Sequence, residues 1–543
     1  MTGTWNPRRG PSRRSLVKLG AALGASAVLP GGRALAQQVG TRHTIDSTIG
    51  MQMLGHYATA VKKMQDPAIN HPPQPQSWTF QSYIHGVPLN PQNPVQSPGI
   101  RHGSSQMTTR VNTLYGNPAP GSPEAEWKAA ALQCWGTCPH FSVQFVAWHR
   151  WYIFYLEKIA RQMSGASDFM LPYWNYASNE GPSLQLPAPF QNPTSPLYEQ
   201  LRGNGFANPA GSGSQNVPMN QGGYLPYPQT QYETALQGTN LWPSDQTFAQ
   251  PPSHAYSAFG FAGRVECQPH DNVHDNVGGL MSNIPVAAGD PIFFVHHCQI
   301  DRLWAAWQAA AGSTYNWGTS QTDPSKMSWE DTKSSFVDEN GKLVTVTTAG
   351  QLDTKKLGYV YDTLPPRPTV VAAALPQAAP AAAVQLAASQ ANGVTVGSGG
   401  ARMTLTPAPS PPAAAAIAPQ AAPGEHTLVL SGVKLITRPP APLHVFLNLP
   451  EGAPATLDNP YYVGTLNFFN WDTGTGGPMM GMAEGHAMPE TGSFTFDVGS
   501  VLARQKTQGL WDGGAVTVTV TTLGADRSSG RTYVTIGQVQ LLP

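Results

Sequence analysis

Charge is scarce in this chain. Lys, Arg, Asp and Glu make up 11% of its 543 residues, and the 31 basic side chains cancel the 31 acidic ones. A zero balance provides neither the basic field that draws nucleic acid nor a strongly acidic one, so the ligand has to be sought in local side-chain chemistry. Cysteine is scarcer still: Cys134, Cys138, Cys267 and Cys298 are too few and too spread for a disulfide scaffold, and their spacing does not choose a pairing. Past the N-terminus no apolar run reaches the roughly 18 residues of a spanning helix, so no membrane span is expected. Proline and glycine are plentiful, at 52 and 55 residues, which implies long irregular connections and at least one low-complexity segment. With 40% hydrophobic residues there is still enough apolar surface for two or three packed domains.

The first 36 residues read as an address. Ser12-Arg13-Arg14-Ser15-Leu16-Val17-Lys18 precedes a short apolar stretch and then Ala34-Leu35-Ala36, the small-residue spacing of a cleavage site. Charge, apolar block and cleavage site in that order predict a twin-arginine-type export signal, with a mature chain from Gln37 in the periplasm or outside the cell. Residues 37–366 mix helical stripes with Pro/Gly/Asn loops and are expected to form one mainly α-helical domain. Its clearest stripes are Tyr152, Ile153, Leu156 and Ala160, and Ile300, Leu303, Trp304 and Trp307. Residues 183–252 read as a long ordered loop packed by aromatics. Residues 367–424 are Ala/Pro-rich and read as a linker open to proteolysis. From 425 to 543 the period falls to two, in short runs such as "HTLVLSGVKL" and "AVTVTVTTL", which predicts an all-β sandwich.

Of 15 histidines, six carry the functional argument. His270 and His274, in "HDNVH", share one face of a helix if that segment is helical, a spacing that suits a metal but is weak evidence by itself. In "CPHFSVQFVAWHRWYIFYLE", His140 and His149 lead into a strongly apolar stripe, where a histidine is more often a buried core residue. "DPIFFVHHCQIDRLW" offers His296 and His297 side by side. Periodicity does not separate them, but Asp301 lies four residues after His297, where it could accept the free ring N–H, whereas Ile300 stands at that distance from His296.

Together these stretches resemble the two copper-binding signatures of tyrosinases and catechol oxidases, in the family's order, with "PHDNVHDNVGGLM" between them and "LPYWNY" (Leu171 to Tyr176) similar to a structural motif of the same proteins. The resemblance covers residues 50 to 365. It implies two copper ions, one held by His85, His140 and His149 and the other by His270, His274 and His297, with His296 left as a structural core residue. His85 is chosen from "SWTFQSYIHG", which resembles a stretch preceding the first signature in bacterial relatives; His102, His71 and His56 are the alternatives. Three neutral imidazoles per ion suit copper. The implied partners are phenolic small molecules and O2, and the implied reaction is oxidation of o-diphenols to o-quinones, with ortho-hydroxylation of monophenols in tyrosinases.

The resemblance also assigns roles near the metals. Glu266 matches a glutamate that holds a water and could take the phenol proton. Asp271 stands where hydroxylating members usually carry Asn, which leaves open whether it acts as a base or pairs elsewhere. Ile284 occupies the place of a bulkier Phe in plant catechol oxidases and leaves room for a substrate ring, while Asp275 could favour substrates bearing an ammonium group. Cys138, two residues before His140, resembles the C-x-H arrangement in which a cysteine forms a thioether with a ligand imidazole. "LGYVYD" (Leu357 to Asp362) and the β-rich region resemble the polyphenol oxidase extension that shields the active site. The loop at 478–488, with Met479, Met480, Met482, His486 and Met488, reads as an apolar docking loop or a Cu(I)-holding one. Two rival readings remain: a hemocyanin-like O2 carrier built on the same copper pair, and a dizinc hydrolase, which the absence of carboxylates among the six ligands disfavours.

Overall fold

The computed structural model describes residues 39–140, 144–176, 181–212, 215–232, 235–236, 240–242, 265–310, 314–317, 330–366, 391–405, 426–439, 442–457, 459–466, 468–469, 491–523 and 530–542. The leader, both Ala/Pro tracts and the loop at 478–488 lie outside the described residues.

The helices start where side-chain oxygens can serve the unpaired first-turn amides. Ser47 caps α1 (Thr48–Met64), Ser77 caps α2 (Trp78–His85), Ser104 caps α3 (Ser105–Tyr115) and Ser122 caps α4 (Pro123–Cys134). The longest helix, α5 (Phe145–Ser164), buries the expected stripe of Tyr152, Ile153, Leu156 and Ala160 and stops at Gly165, whose φ of 78° a side chain would resist. A short α6 (Asn272–Val277) and the long α7 (Ile292–Ala309) complete the frame, and α5 packs on both α1 and α7. The second stripe, Ile300, Leu303, Trp304 and Trp307, is buried in one cluster with Phe145 and Val146 of α5. A parallel pair, β1 (Gly40–Arg42) and β4 (Tyr359–Tyr361), ties the two ends of this domain together, and β2 (Lys333–Val337) and β3 (Leu343–Thr347) form a hairpin before β4.

The β region is a sandwich of two four-stranded sheets. Its strands are β5 (Ala391–Gly397), β6 (Ala401–Leu405), β7 (Thr427–Leu435), β8 (Leu443–Leu447), β9 (Tyr462–Leu466), β10 (Gly492–Asp497), β11 (Val516–Thr522) and β12 (Thr532–Leu542). One sheet has the order β10-β7-β12-β5 and the other β6-β11-β8-β9. Alternate residues face a shared core, for example Val516, Val518 and Val520 against Leu428 and Leu430.

One boundary is corrected. Residues 391–405, placed in the linker by composition, form the strands β5 and β6, paired to β12 and β11. Val396, Met403 and Leu405 point into the sandwich core, a period of two that the flanking alanines and prolines obscure. The sandwich therefore begins at Ala391 rather than 425.

The sandwich and the helical domain share a seam. Phe206 of the helical domain packs with Phe446, Leu449, Leu457 and Leu523. A polar chain crosses beside it: Asn276 Nδ2 donates to Gln229 Oε1 at 2.6 Å, and Gln229 Nε2 donates to Thr465 Oγ1 at 2.8 Å.

Candidate metal centre

The six histidines converge from four parts of the chain. His85 ends α2, His140 lies in the loop before α5 and His149 lies in its first turns. His270 closes a π-type turn (Glu266–Asp271), broken at Gln268, which runs on into α6 carrying His274; His297 sits in the second turn of α7. The spacing of four thus works through two joined turns rather than one regular helix, and still brings the His270 and His274 rings to 4.5 Å between centroids.

Two groups of possible ligand atoms result, each with all members within 4.8 Å of one another: His85, Cys138, His140 and His149 in one, and His270, His274, His296 and His297 in the other. The groups meet where His149 and His297 stack at 4.2 Å and 12°. His274 Nε2 and His297 Nε2 lie 3.4 Å apart.

Backbone carbonyls and one carboxylate fix the tautomers. His85 Nδ1 donates to the Ile284 carbonyl at 3.0 Å, His149 Nδ1 to Phe145 at 2.8 Å and His274 Nδ1 to Met281 at 2.7 Å. His270 Nδ1 donates to Asp271 Oδ1 at 2.7 Å. An acceptor-only partner at Nδ1 forces the proton there and leaves Nε2 with a lone pair. Nε2 of His85 and of His270 is buried with no hydrogen-bond partner among the described residues. Burial also drives all six imidazoles to the neutral form, His85 down to a pKa of about 3. Neutral rings, fixed tautomers and orphaned inward lone pairs fit the pair of copper ions that the resemblance implies.

Asp301 does not hold His297. Its carboxylate accepts from Arg150 Nε, from Arg42 Nη1 at 3.2 Å, and from the Tyr359 and Tyr361 hydroxyls at 2.7 and 2.5 Å. His297 Nδ1 has no partner among the described residues. The physical reason is charge: two buried guanidiniums need a carboxylate more than a neutral ring N–H does. Burial alone would raise the Asp301 pKa, but Arg150 and Arg42 bring it below the ordinary value. His296 is fully buried with neither ring nitrogen hydrogen-bonded among the described residues, so it is not anchored as core histidines usually are. It stacks on His270 at 5.2 Å and faces Tyr176.

The remaining predicted residues sit close by. Glu266 is buried, and its charge, second to burial, pushes the Cys138 thiol pKa up. Cys138 Sγ lies 3.3 Å from His149 Nε2 and 3.7 Å from His140 Nε2, so it reaches two imidazoles rather than the one that the sequence suggested. Ile284 is buried and contributes its carbonyl to His85. His102 donates through Nδ1 to the Trp135 carbonyl, while His71 is exposed at the end of a short helical turn. Cys134, Cys138 and Cys298 are buried and form no disulfide among the described residues; the Cys267 side chain lies outside them.

Phe469, which carries no sequence signal of its own, closes the centre. Its ring stacks on His274 at 4.0 Å and 24° and approaches His270 and His140 at 5.6 and 6.0 Å. Asp275, beside His274, holds this segment: its Oδ2 accepts from the Phe468 amide at 3.3 Å, and Arg438 Nη1 donates to the Phe468 carbonyl at 2.7 Å. Asp275 has a pKa raised to about 7, burial outweighing Arg438 and the backbone amides. A C-terminal residue pressed on a ligand histidine could have been found only from the fold.

Comparison with known proteins gives the same reading. The profile described as the common central domain of tyrosinase matches residues 75–310, and the polyphenol oxidase middle domain matches 323–369. Tyrosinase HcTyr1 of Hahella sp. (strain CCB-MM4) is 32% identical over 321 residues, covering 57% of this chain and 60% of that protein. Catechol oxidase B of Solanum tuberosum is 30% identical over 238 residues, covering 42% and 39%. The chain thus spans only part of the length of these curated relatives. The structure of latent apple tyrosinase aligns with 93% of this chain and 97% of its own, at 20% identity and a TM-score of 0.49. With both profiles matched in order around the paired histidine groups, this chain carries the common central domain of tyrosinase followed by the polyphenol oxidase middle domain.

Proposed function

We propose that this chain is an exported, copper-dependent phenol oxidase that converts o-diphenols to o-quinones with O2 and is kept latent by its C-terminal sandwich. The observation that carries the reading is the pair of facing histidine groups, joined at the His149–His297 stack. His85, His140 and His149 would hold one copper ion and His270, His274 and His297 the other. When bound, the copper pair supplies electron transfer between phenol and dioxygen; two diphenols and one O2 balance to two quinones and two waters.

The chain's own groups do the rest. Hydrogen bonds at Nδ1 hold the rings of His85, His149, His270 and His274 with Nε2 inward, so little reorganisation is needed when metal or substrate arrives. Phe469 occupies the approach to His274 and excludes a phenol ring while the sandwich is docked. Once the segment moves, Asp275 is freed from the Phe468 amide and can meet a substrate ammonium group. Asp275→Asn is therefore expected to lower kcat/KM for dopamine severalfold relative to a neutral catechol, and an unchanged ratio would remove this role. Export through the twin-arginine-type leader suits a protein that folds around its metals before crossing a membrane.

Hydroxylation of monophenols is a second reading. Glu266, buried four residues before His270 and near enough to Cys138 for its charge to act on that thiol, favours it as a base for the phenol proton, whereas Asp271 is engaged with His270. Oxygen uptake by the copper-loaded chain, before and after limited proteolysis within 367–390 or 406–425, tests both. Uptake with dopamine that rises on cleavage supports the latent diphenol oxidase, and uptake with tyramine after a lag adds hydroxylation. Bound copper with no uptake after cleavage would return the protein to the O2-carrier class.

A further inference from the structure

The second histidine group holds one imidazole more than the three that the proposed site uses. His296 brings a ring nitrogen within 4.8 Å of the ligand atoms of His270, His274 and His297. Its ring lies inside the group, with centroids 5.2 Å from His270, 4.8 Å from His274 and 5.0 Å from His297. Bonds of about 2.0–2.1 Å place two nitrogens of one ion roughly 3.3–4.2 Å apart, so modest ring rotations bring all four nitrogens onto one metal. Four imidazole nitrogens around one ion suit Cu(II), which accepts a tetragonal set.

A purely structural role accounts poorly for this ring. Histidines buried for packing are anchored by hydrogen bonds, because an unpaired interior nitrogen costs free energy. His296 is fully buried, and neither of its nitrogens is hydrogen-bonded among the described residues. The ring that faces it at 5.5 Å, Tyr176, has a hydroxyl in the same condition and gives it no anchor. Burial pushes the His296 pKa down to about 3, so the imidazole is neutral and one nitrogen carries a lone pair. His270 and His274 are fixed at Nδ1 by Asp271 and the Met281 carbonyl, whereas His297 Nδ1 is as unheld among the described residues as His296. The two α7 rings can therefore turn toward an ion that the two fixed rings already hold.

We propose that His296 is a fourth copper ligand, bound to the second ion when that ion is alone in the chain. Four imidazoles leave no position open, so a half-loaded chain holds its copper closed to substrate. Filling the first group releases His296 and opens the position that faces the first ion. The inference rests on the second group being a copper site, as the proposed reaction does, but on no activity.

The test is pulsed electron paramagnetic resonance of the full-length His85→Ala chain loaded with one equivalent of Cu(II), in which the first group keeps only two imidazoles. The remote nitrogen of each bound imidazole modulates the spin echo, so the bound rings can be counted. The proposal predicts four in the His85→Ala chain, three after adding His296→Phe, and three with copper retained after adding His297→Phe instead. Three imidazoles in the His85→Ala chain, unchanged by His296→Phe, would overturn it and leave the second copper site standing. Loss of copper from a folded chain carrying His297→Phe would overturn it too, since a fourth imidazole should hold the ion in place of the third. No copper in the His85→Ala chain would overturn this inference together with the proposed reaction. The count in the His85→Ala chain needs no change at residue 296, so it gives the answer even if His296→Phe fails to fold.

Discussion

Phe469 and Cys138 are the residues whose removal should change the centre most legibly. Phe469→Ala opens the face of His274, so the intact variant is expected to oxidise dopamine at a rate approaching that of the cleaved wild-type chain, with cleavage adding little more. If the intact variant stays as slow as the intact wild type, the ring is packing and not a cover. The substitution also leaves a cavity, at about 3 kcal/mol or more by analogy with other buried aromatic truncations, so its unfolding midpoint should be recorded alongside. For Cys138 the expected chemistry is the thioether implied by the family resemblance. Copper- and oxygen-exposed protein should then weigh two hydrogens less than the sequence mass after reduction, and Cys138→Ser should show no such deficit. The structure adds that Cys138 lies near both His140 and His149, so peptide mapping decides which ring is bonded.

Among the elements, α7 links site and scaffold. His297 faces the metal site, and one turn later Asp301 anchors the helix to α5 through Arg150, to β1 through Arg42 and to β4 through Tyr359 and Tyr361. Asp301→Asn leaves two buried guanidiniums short of their carboxylate and is expected to cost about 3–5 kcal/mol in denaturant unfolding. A loss under 1 kcal/mol would show that Glu157, which accepts from Arg42 Nε at 2.8 Å, carries the network alone. The pH dependence follows from the lowered Asp301 pKa. Its stabilising contribution is present above the ordinary carboxylate pKa and is lost as pH falls through the lower, folded-state value. Asp301 was visible in the sequence as the fourth residue after His297, but its partners were not. Arg42 and Tyr361 lie 259 and 60 residues away, and only packing decides that charge outcompetes a neutral ring.

For the whole molecule, the parts carried by local chemistry were legible and the parts carried by long-range packing were not. The helical stripes of α5 and α7 and the six later strands follow from periodicity. The strands at 391–405 were hidden because Ala and Pro on either side swamp a pattern set by Val396, Met403 and Leu405. The six histidines converge from residues 85 to 297, and two extended motifs in order made that convergence readable before any fold was known. His296 was readable as a neighbour but not as a fourth imidazole in the second group, because that depends on which way each ring turns. The placing of Phe469 on His274 depends on how the sandwich docks, and no local pattern reports docking.

Copper content together with the electron paramagnetic resonance spectrum of the oxidised protein tests the central claim most directly. Two histidine groups joined at the His149–His297 stack predict two copper ions per chain whose spins couple, leaving little or no signal. His85→Ala should then leave one ion and uncover the spectrum of an isolated Cu(II). A single copper per wild-type chain, or two ions with a full uncoupled signal, would contradict the paired centre on which the proposed reaction rests.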